Sequence, residues 1–293
     1  MKRHPEKLIA LTGLFKIRIS LFAAVSAVAS FFLLAPGRQH LFSFSRPAAL
    51  AAGVLFLSFG ASALNQVQEA ATDALMERTR ARPIPSGLIK PSHALCVSLA
   101  FISGGAVVLR LSGGLLPAAM GGIAVFLYNA VYTPLKKVTA FALIPGALVG
   151  AIPPAIGWVY GGGSLLSPEL LIICFFFYIW QMPHFWLILL RYGGEYEKAG
   201  LPSITNIFSV RGLKRVIFAW EVCTAASAML LAVTETAGLL PRVLFALPAA
   251  WIIGSGAAVF SGKYERHLFA WKSIDICVLA ITCLLGAGRF LAA

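Results

Sequence analysis

The sequence predicts an all-α integral membrane protein, a bundle of nine transmembrane helices. Three observations carry this. Of 293 residues, 59% are hydrophobic and 12% are charged, and the mean hydropathy is +0.85; a soluble domain carries about twice that charged fraction. Apolar runs of about 20 residues recur along the chain, each long enough for a hydrocarbon core ~30 Å thick. The net charge of +13 is gathered between those runs rather than on one face or tail, which points to lipid topology and not to nucleic acid.

The runs fall at 16–35, 47–66, 92–111, 114–133, 139–160, 167–189, 213–233, 240–261 and 273–292. Lipid leaves backbone groups without partners, so helices are what such runs form. Lys2, Arg3 and Lys7 precede the first run, which has no small-residue cleavage site and reads as a retained helix rather than a signal peptide. Glycines recur inside the runs, at 104–105, 113–114, 121–122 and 146–150, as close helix packing requires. With nine spans, Arg38, Arg46, Arg110, Arg242 and Arg289 lie on one side, and the remaining lysines and arginines share the side of the N-terminus. The N-terminus is therefore predicted cytoplasmic and the C-terminus outside. The five cysteines all sit in apolar runs with no CxxC and read as packing residues. No internal repeat or second unit is visible, and residues 1–293 read as a single membrane domain.

One stretch stands apart, 65–87, NQVQEAATDALMERTRARPIPSG. Asn65, Glu69 and Asp73 are spaced by four, which puts an amide and two carboxylates on one helical face at the end of the second run. Arg78, Arg80 and Arg82 follow, before Pro83, Pro85 and Gly87 end regular structure. Paired carboxylates with cations beside them suit Mg²⁺ holding an anionic phosphate; the alternative is an interface anchor at a helix end. The connection after the fourth run carries Tyr132, Thr133, Lys136 and Lys137, and the loop after the sixth carries Glu195 and Glu197. All three are predicted to converge on one cytoplasmic mouth.

Other polar residues read less sharply. In WQMPHFW (180–186), Pro183 is expected to break the helix, and His184 at membrane depth is an acid/base, a ligand to an iron porphyrin or a structural donor. Pro153 and Pro154 in GALVGAIPPAIGW (146–158) mark either a broken helix beside a cavity or a kink. Asp275 is expected at the start of the last helix, complementing its dipole. Glu221 is expected to face the bundle. His4, His40, His93 and His267 fall at ends or loops, and the last cytoplasmic loop, Gly262–Lys272, reads as plain topology, as do Arg211, Lys214 and Arg215.

These motifs resemble those of the UbiA superfamily of intramembrane aromatic prenyltransferases, and within it the haem-farnesylating branch, the protoheme IX farnesyltransferases. The likeness rests on NQVQEAATDALMERTRARPIPSG, YTPLKK (132–137), GALVGAIPPAIGW, WQMPHFW and EYEKAGLP (195–202), together spanning 65–202. It implies a UbiA-like bundle whose central cavity opens to the cytoplasmic side of a bacterial inner membrane. Asn65, Glu69 and Asp73 match the first acidic motif, which binds Mg²⁺ and the diphosphate of the prenyl donor. Arg78 and Arg82 match basic residues that face phosphate oxygens, and Tyr132 and Lys136, with Lys137 beside them, match a segment facing the same diphosphate. Glu195 stands in the second acidic motif, as a further metal ligand and catalytic carboxylate. Gly194 replaces a common Asp there, which puts a second Mg²⁺ in question. WQMPHFW makes His184 a candidate for contact with the porphyrin or its reacting vinyl group.

The resemblance implies farnesyl transfer from farnesyl diphosphate to a vinyl group of haem B, a substrate rather than a prosthetic group, with water captured to give haem O. Terminal oxidase assembly and haem A synthase follow as implied partners. Glu195 and His184 are both candidates for the base that takes the water proton. An aromatic or quinone-precursor acceptor would share the architecture. A transporter of an anionic amphiphile would instead place its charges near the midplane, and here they gather at one face.

Overall fold

The computed structural model describes residues 11–34, 44–235, 238–261 and 264–291. Lys2, Arg3, His4, Lys7, Arg38, His40 and Lys263 lie outside them, as does the Arg289 side chain. The described residues form helices and no strand, and nine helical spans among them are long and apolar enough to cross a membrane. The chain is a multi-pass membrane protein.

Ten longer helices make up most of the spans. They are α1 (Ile17–Leu34), α2 (Ser45–Leu75), α3 (Pro91–Gly113), α4 (Leu115–Phe126), α5 (Leu143–Tyr160), α6 (Pro168–Ile179), α7 (Gln181–Lys198), α8 (Val210–Glu235), α9 (Leu239–Ala257) and α10 (Tyr264–Leu291). Consecutive spans pack side by side, and α10 returns to α1 and closes the ring. The most intimate pair is α2 with α3. At Gly60 a Cβ would collide with Ser98 and Ile102 of α3, and the Ser98 hydroxyl donates to the Gly60 carbonyl (2.8 Å). Small residues let two backbones approach where lipid gives no hydrophobic drive. At the far end, Arg46 donates to the Tyr160 carbonyl (3.0 Å) while the Tyr160 hydroxyl donates to Arg46 O (3.2 Å), tying the start of α2 to the end of α5.

Several boundaries differ from the apolar runs. Helix α2 continues to Leu75, so Glu69 and Asp73 stand on the helix itself and not in the loop after it. Helix α7 continues to Lys198, so Glu195 and Glu197 are also helical. A helix does not have to stop where its apolar run stops. Helix α10 begins at Tyr264, so part of the expected loop Gly262–Lys272 is helical. That start also corrects Asp275, which lies three turns into α10, far from any N-terminal dipole.

The two proline sites behave differently. Helix α5 runs unbroken through Pro153 and Pro154. The sixth span instead divides at Trp180, between α6 and α7. Pro183 is the third residue of α7, where a missing N–H costs no hydrogen bond. The Gln181 amide bridges the break to α5, donating to Phe177 O (2.7 Å) and Ala147 O (2.9 Å). Glu221 faces the bundle as expected, fully buried in α8 against Gly256 of α9. Its carboxylate oxygens have no hydrogen-bond partner among the described residues.

Candidate active site

The ends of α1, α2, α4 and α7 meet at one membrane face. Residues Leu127–Tyr132, which follow α4, widen into a π turn before the span ends at Leu135. Such widened turns recur at functional sites because they re-aim side chains. Here they place Tyr128 and Tyr132 in a stack (5.9 Å) and turn Asn129 inward, its amide donating to Ala61 O (3.0 Å) and Gln68 Oε1 (3.1 Å).

On α2 the four-residue spacing holds. Asn65 and Asp73 are buried, and Glu69 lies between them with 14% of its side chain exposed. Each meets a different cation. Lys16 donates to Asn65 Oδ1 at 2.6 Å, Lys136 pairs with Glu69, and Arg82 donates to Asp73 Oδ2 at 2.6 Å. Asn65 is oriented by donating to the Thr133 hydroxyl (3.0 Å). Lys136 also lies over the Tyr132 ring at 4.7 Å.

The turns after α2 aim the arginines. The Thr79 hydroxyl donates to Asp73 O (2.9 Å), and buried Ile84 packs with Leu14, Ala63 and Ala94. The loop is thereby pinned on both sides of Arg82. The Arg78 backbone N–H donates to Glu195 Oε2 (3.0 Å), and its guanidinium reaches the Tyr196 hydroxyl (3.2 Å) and covers the Tyr192 ring (5.3 Å). Glu195 therefore joins the mouth. Glu197 turns away and accepts from the Thr205 hydroxyl (2.8 Å). Lys137 is exposed and takes part in none of these contacts.

Lys16 is the residue that reading the sequence missed, counted there only as a topological charge. It precedes α1 with φ 45°, a left-handed conformation costly for a side chain of this kind. Gln66 enforces the turn, donating to the carbonyls of Gly13 (2.8 Å) and Leu14 (3.0 Å). The ammonium also donates to the Tyr128 hydroxyl (3.1 Å). Burial pushes its pKa down to about 7; Arg82 and Lys136 push the same way, and Glu69 and Asp73 oppose them. No spacing along the chain marks this residue, because its partners lie on α2 and beyond α4.

His184 does not join the mouth. Its Nδ1 lies 2.5 Å from Asp275 Oδ1 on α10, with Trp180, Phe185 and Trp271 around the ring.

Among the described residues no three His, Cys, Asp or Glu side chains cluster closely enough to form a metal site by themselves. The donors on α2 are all oxygens on one face, and every carboxylate of the mouth already faces a cation or an N–H. That set fits Mg²⁺ only together with an anion that draws the cations off the carboxylates. The arrangement can thus take a polyanion at the mouth of an apolar bundle, the profile of an intramembrane enzyme acting on a phosphorylated lipid-like substrate.

The chain belongs to the UbiA prenyltransferase family, whose model matches residues 23–278. It is 40% identical over 218 residues to the protoheme IX farnesyltransferase of Geobacter sulfurreducens, covering 74% of this chain and 78% of that one. Several solved structures share the fold. A digeranylgeranylglyceryl phosphate synthase superposes with a TM-score of 0.75 at 14% identity, over 98% of this chain and 99% of its own. A UbiA homologue from Archaeoglobus fulgidus bound to DMAPP and Mg²⁺ superposes with a TM-score of 0.68 at 15% identity, over 96% and 98%.

Proposed function

We propose that this chain transfers the farnesyl group of farnesyl diphosphate to a vinyl group of haem B and releases haem O and diphosphate. The observation that carries the reading is the convergence of Lys16, Arg82 and Lys136 on the Asn65, Glu69 and Asp73 face, with Arg78 beside it on Glu195. The similarity to a protoheme IX farnesyltransferase supports the acceptor, and the DMAPP and Mg²⁺ of the Archaeoglobus homologue support the donor and metal.

In this reading Asn65, Glu69, Asp73 and Glu195 hold Mg²⁺, which when bound neutralises diphosphate charge. Lys16, Lys136 and Arg82 then give up their present partners and donate to phosphate oxygens. Arg78 and the Tyr132 hydroxyl face the same group, with Lys137 at the outer edge. The allylic C1–O bond of the donor breaks, and its electron pair leaves on diphosphate. Once drawn onto the diphosphate, these cations stabilise the developing charge with no further reorganisation at the moment of bond cleavage, the main source of rate in such sites. The farnesyl cation stays in the apolar interior, shielded from water until it meets the acceptor. The terminal carbon of a haem vinyl bonds to C1, water captures the cation left on the porphyrin side, and a base takes the water proton.

The membrane setting follows from the same reading: a bacterial inner membrane with the N-terminus and mouth cytoplasmic and the C-terminus outside, a single domain over 1–293, and product passed to haem A synthase or terminal oxidase assembly. An acceptor panel tests it. Purified protein is given farnesyl diphosphate with haem B, with 4-hydroxybenzoate or with no acceptor. Product only with haem B is expected. Product only with the benzoate would move the chain to another branch of its family.

A further inference from the structure

The pair formed by His184 and Asp275 lies apart from the diphosphate mouth. Two helical turns face each other there. Trp180 and His184 are four residues apart across the break in the sixth span, and Trp271 and Asp275 are four apart on α10. His184 Nδ1 lies 2.5 Å from Asp275 Oδ1. A carboxylate accepts only, so Nδ1 carries a proton, and in the neutral imidazole Nε2 is left with its lone pair. This is the arrangement in which a carboxylate fixes a histidine's tautomer and raises its basicity toward a metal.

The surroundings fit a flat aromatic ligand. The Trp180 and Phe185 rings stand at 70° and 87° to the imidazole, with centroids at 5.1 and 5.2 Å. A porphyrin stands at the same steep angle to an imidazole that binds its iron. The Trp180 and Trp271 indole N–H groups are buried without an acceptor among the described residues. Two idle donors at this depth fit a ligand that brings its own polar atoms. Asp275 has 38% of its side chain exposed within a membrane span, which a lipid-facing carboxylate would not sustain.

The site is also placed for transfer. Trp180 packs edge-on against Phe22 of α1 at 5.4 Å. Phe22 lies six residues beyond Lys16, about 9 Å further along the helix. On α7, His184 lies eleven residues before Glu195, about 16 Å along the helix, so the pair sits inward of the mouth.

We infer that His184 Nε2 is an axial ligand to the iron of the acceptor haem, and that Asp275 is the positioning residue that holds the imidazole for it. This rests on haem B being the acceptor, and it adds how the acceptor is seized.

The first readout is spectroscopic and needs no turnover; the haem product formed with farnesyl diphosphate is analysed beside it. Haem B is added to the full chain in nanodiscs without farnesyl diphosphate, and absorption, EPR and resonance Raman spectra are recorded. The wild-type ferrous complex is expected to show an iron–histidine stretch. His184→Ala is expected to lose that band and to regain ligation with added imidazole. Asp275→Asn is expected to keep the band at lower frequency, since its amide donates less electron density through the ring than a carboxylate does. Binding of farnesyl diphosphate, unchanged in both variants, verifies folding. Unaltered haem spectra in His184→Ala, with haem O still formed, would overturn the ligation and leave the haem reading standing. Unaltered spectra with a farnesylated but unhydrated product would overturn it in favour of His184 as the base. No haem binding and no haem product from wild-type protein would overturn both readings.

Discussion

The Arg82 guanidinium lies 2.6 Å from Asp73 Oδ2, nine residues back along the chain. The loop between them doubles over so that a buried carboxylate at the end of α2 is met by a cation rather than by water. One partner faces metal and the other faces phosphate in the proposed reaction, so neither replacement is conservative. Arg82→Lys keeps the charge and loses the planar fork. Turnover is expected to fall about 10²–10³-fold, the cost of one electrostatic donor. Steady-state rates in nanodiscs measure it; a fall below fivefold would remove Arg82 from the diphosphate site.

Lys16 makes binding depend on pH. Burial pushes its amine in the free protein down to about 7, below the ordinary lysine value. Diphosphate favours the ammonium and so raises the pKa in the complex. Affinity is then full below about 7, and above it one proton must be taken up on binding. The Kd for farnesyl diphosphate should rise roughly tenfold per pH unit over that window. Lys16→Arg stays charged throughout and should flatten the profile. Calorimetric Kd values across the range decide it, and parallel profiles in the two proteins would count against Lys16.

Glu221 and Gly256 make a packing prediction independent of catalysis. A Cβ on Gly256 would overlap the Glu221 carboxylate, which has no hydrogen-bond partner among the described residues. Gly256→Ala should destabilise by about 1–3 kcal/mol, as overpacking does. Glu221→Ala opens the space, so the double variant should be more stable than Gly256→Ala alone. Thermal unfolding in detergent reads this, and additive effects would contradict it.

Much of this was legible in the sequence. The nine spans followed from apolar length alone, because bilayer thickness dictates it. The face of Asn65, Glu69 and Asp73 followed from the helical period. What escaped was set by contacts distant in the chain. Lys16 looked like any charge before a membrane helix, and only Gln66 holding the carbonyls of Gly13 and Leu14 turns it inward. Asp275 looked like a helix-start charge because the apolar run was taken as the helix, whereas α10 begins at Tyr264, eleven residues before Asp275. Its partner His184 had three open readings because no spacing links two residues on different spans. Tyr128 gave no signal, since the π turn that aims it has no signature in YNAVY.

The central claim is a metal-assisted transfer of farnesyl to haem at the face formed by Glu69 and Asp73. The most direct measurement is the mass of the haem product from wild-type protein and Asp73→Asn, each with Mg²⁺ and with EDTA. The account predicts haem heavier by a farnesyl group and one water from wild-type protein with Mg²⁺, and almost none from the other three. The same product from Asp73→Asn at wild-type rate, or from wild-type protein in EDTA, would contradict it.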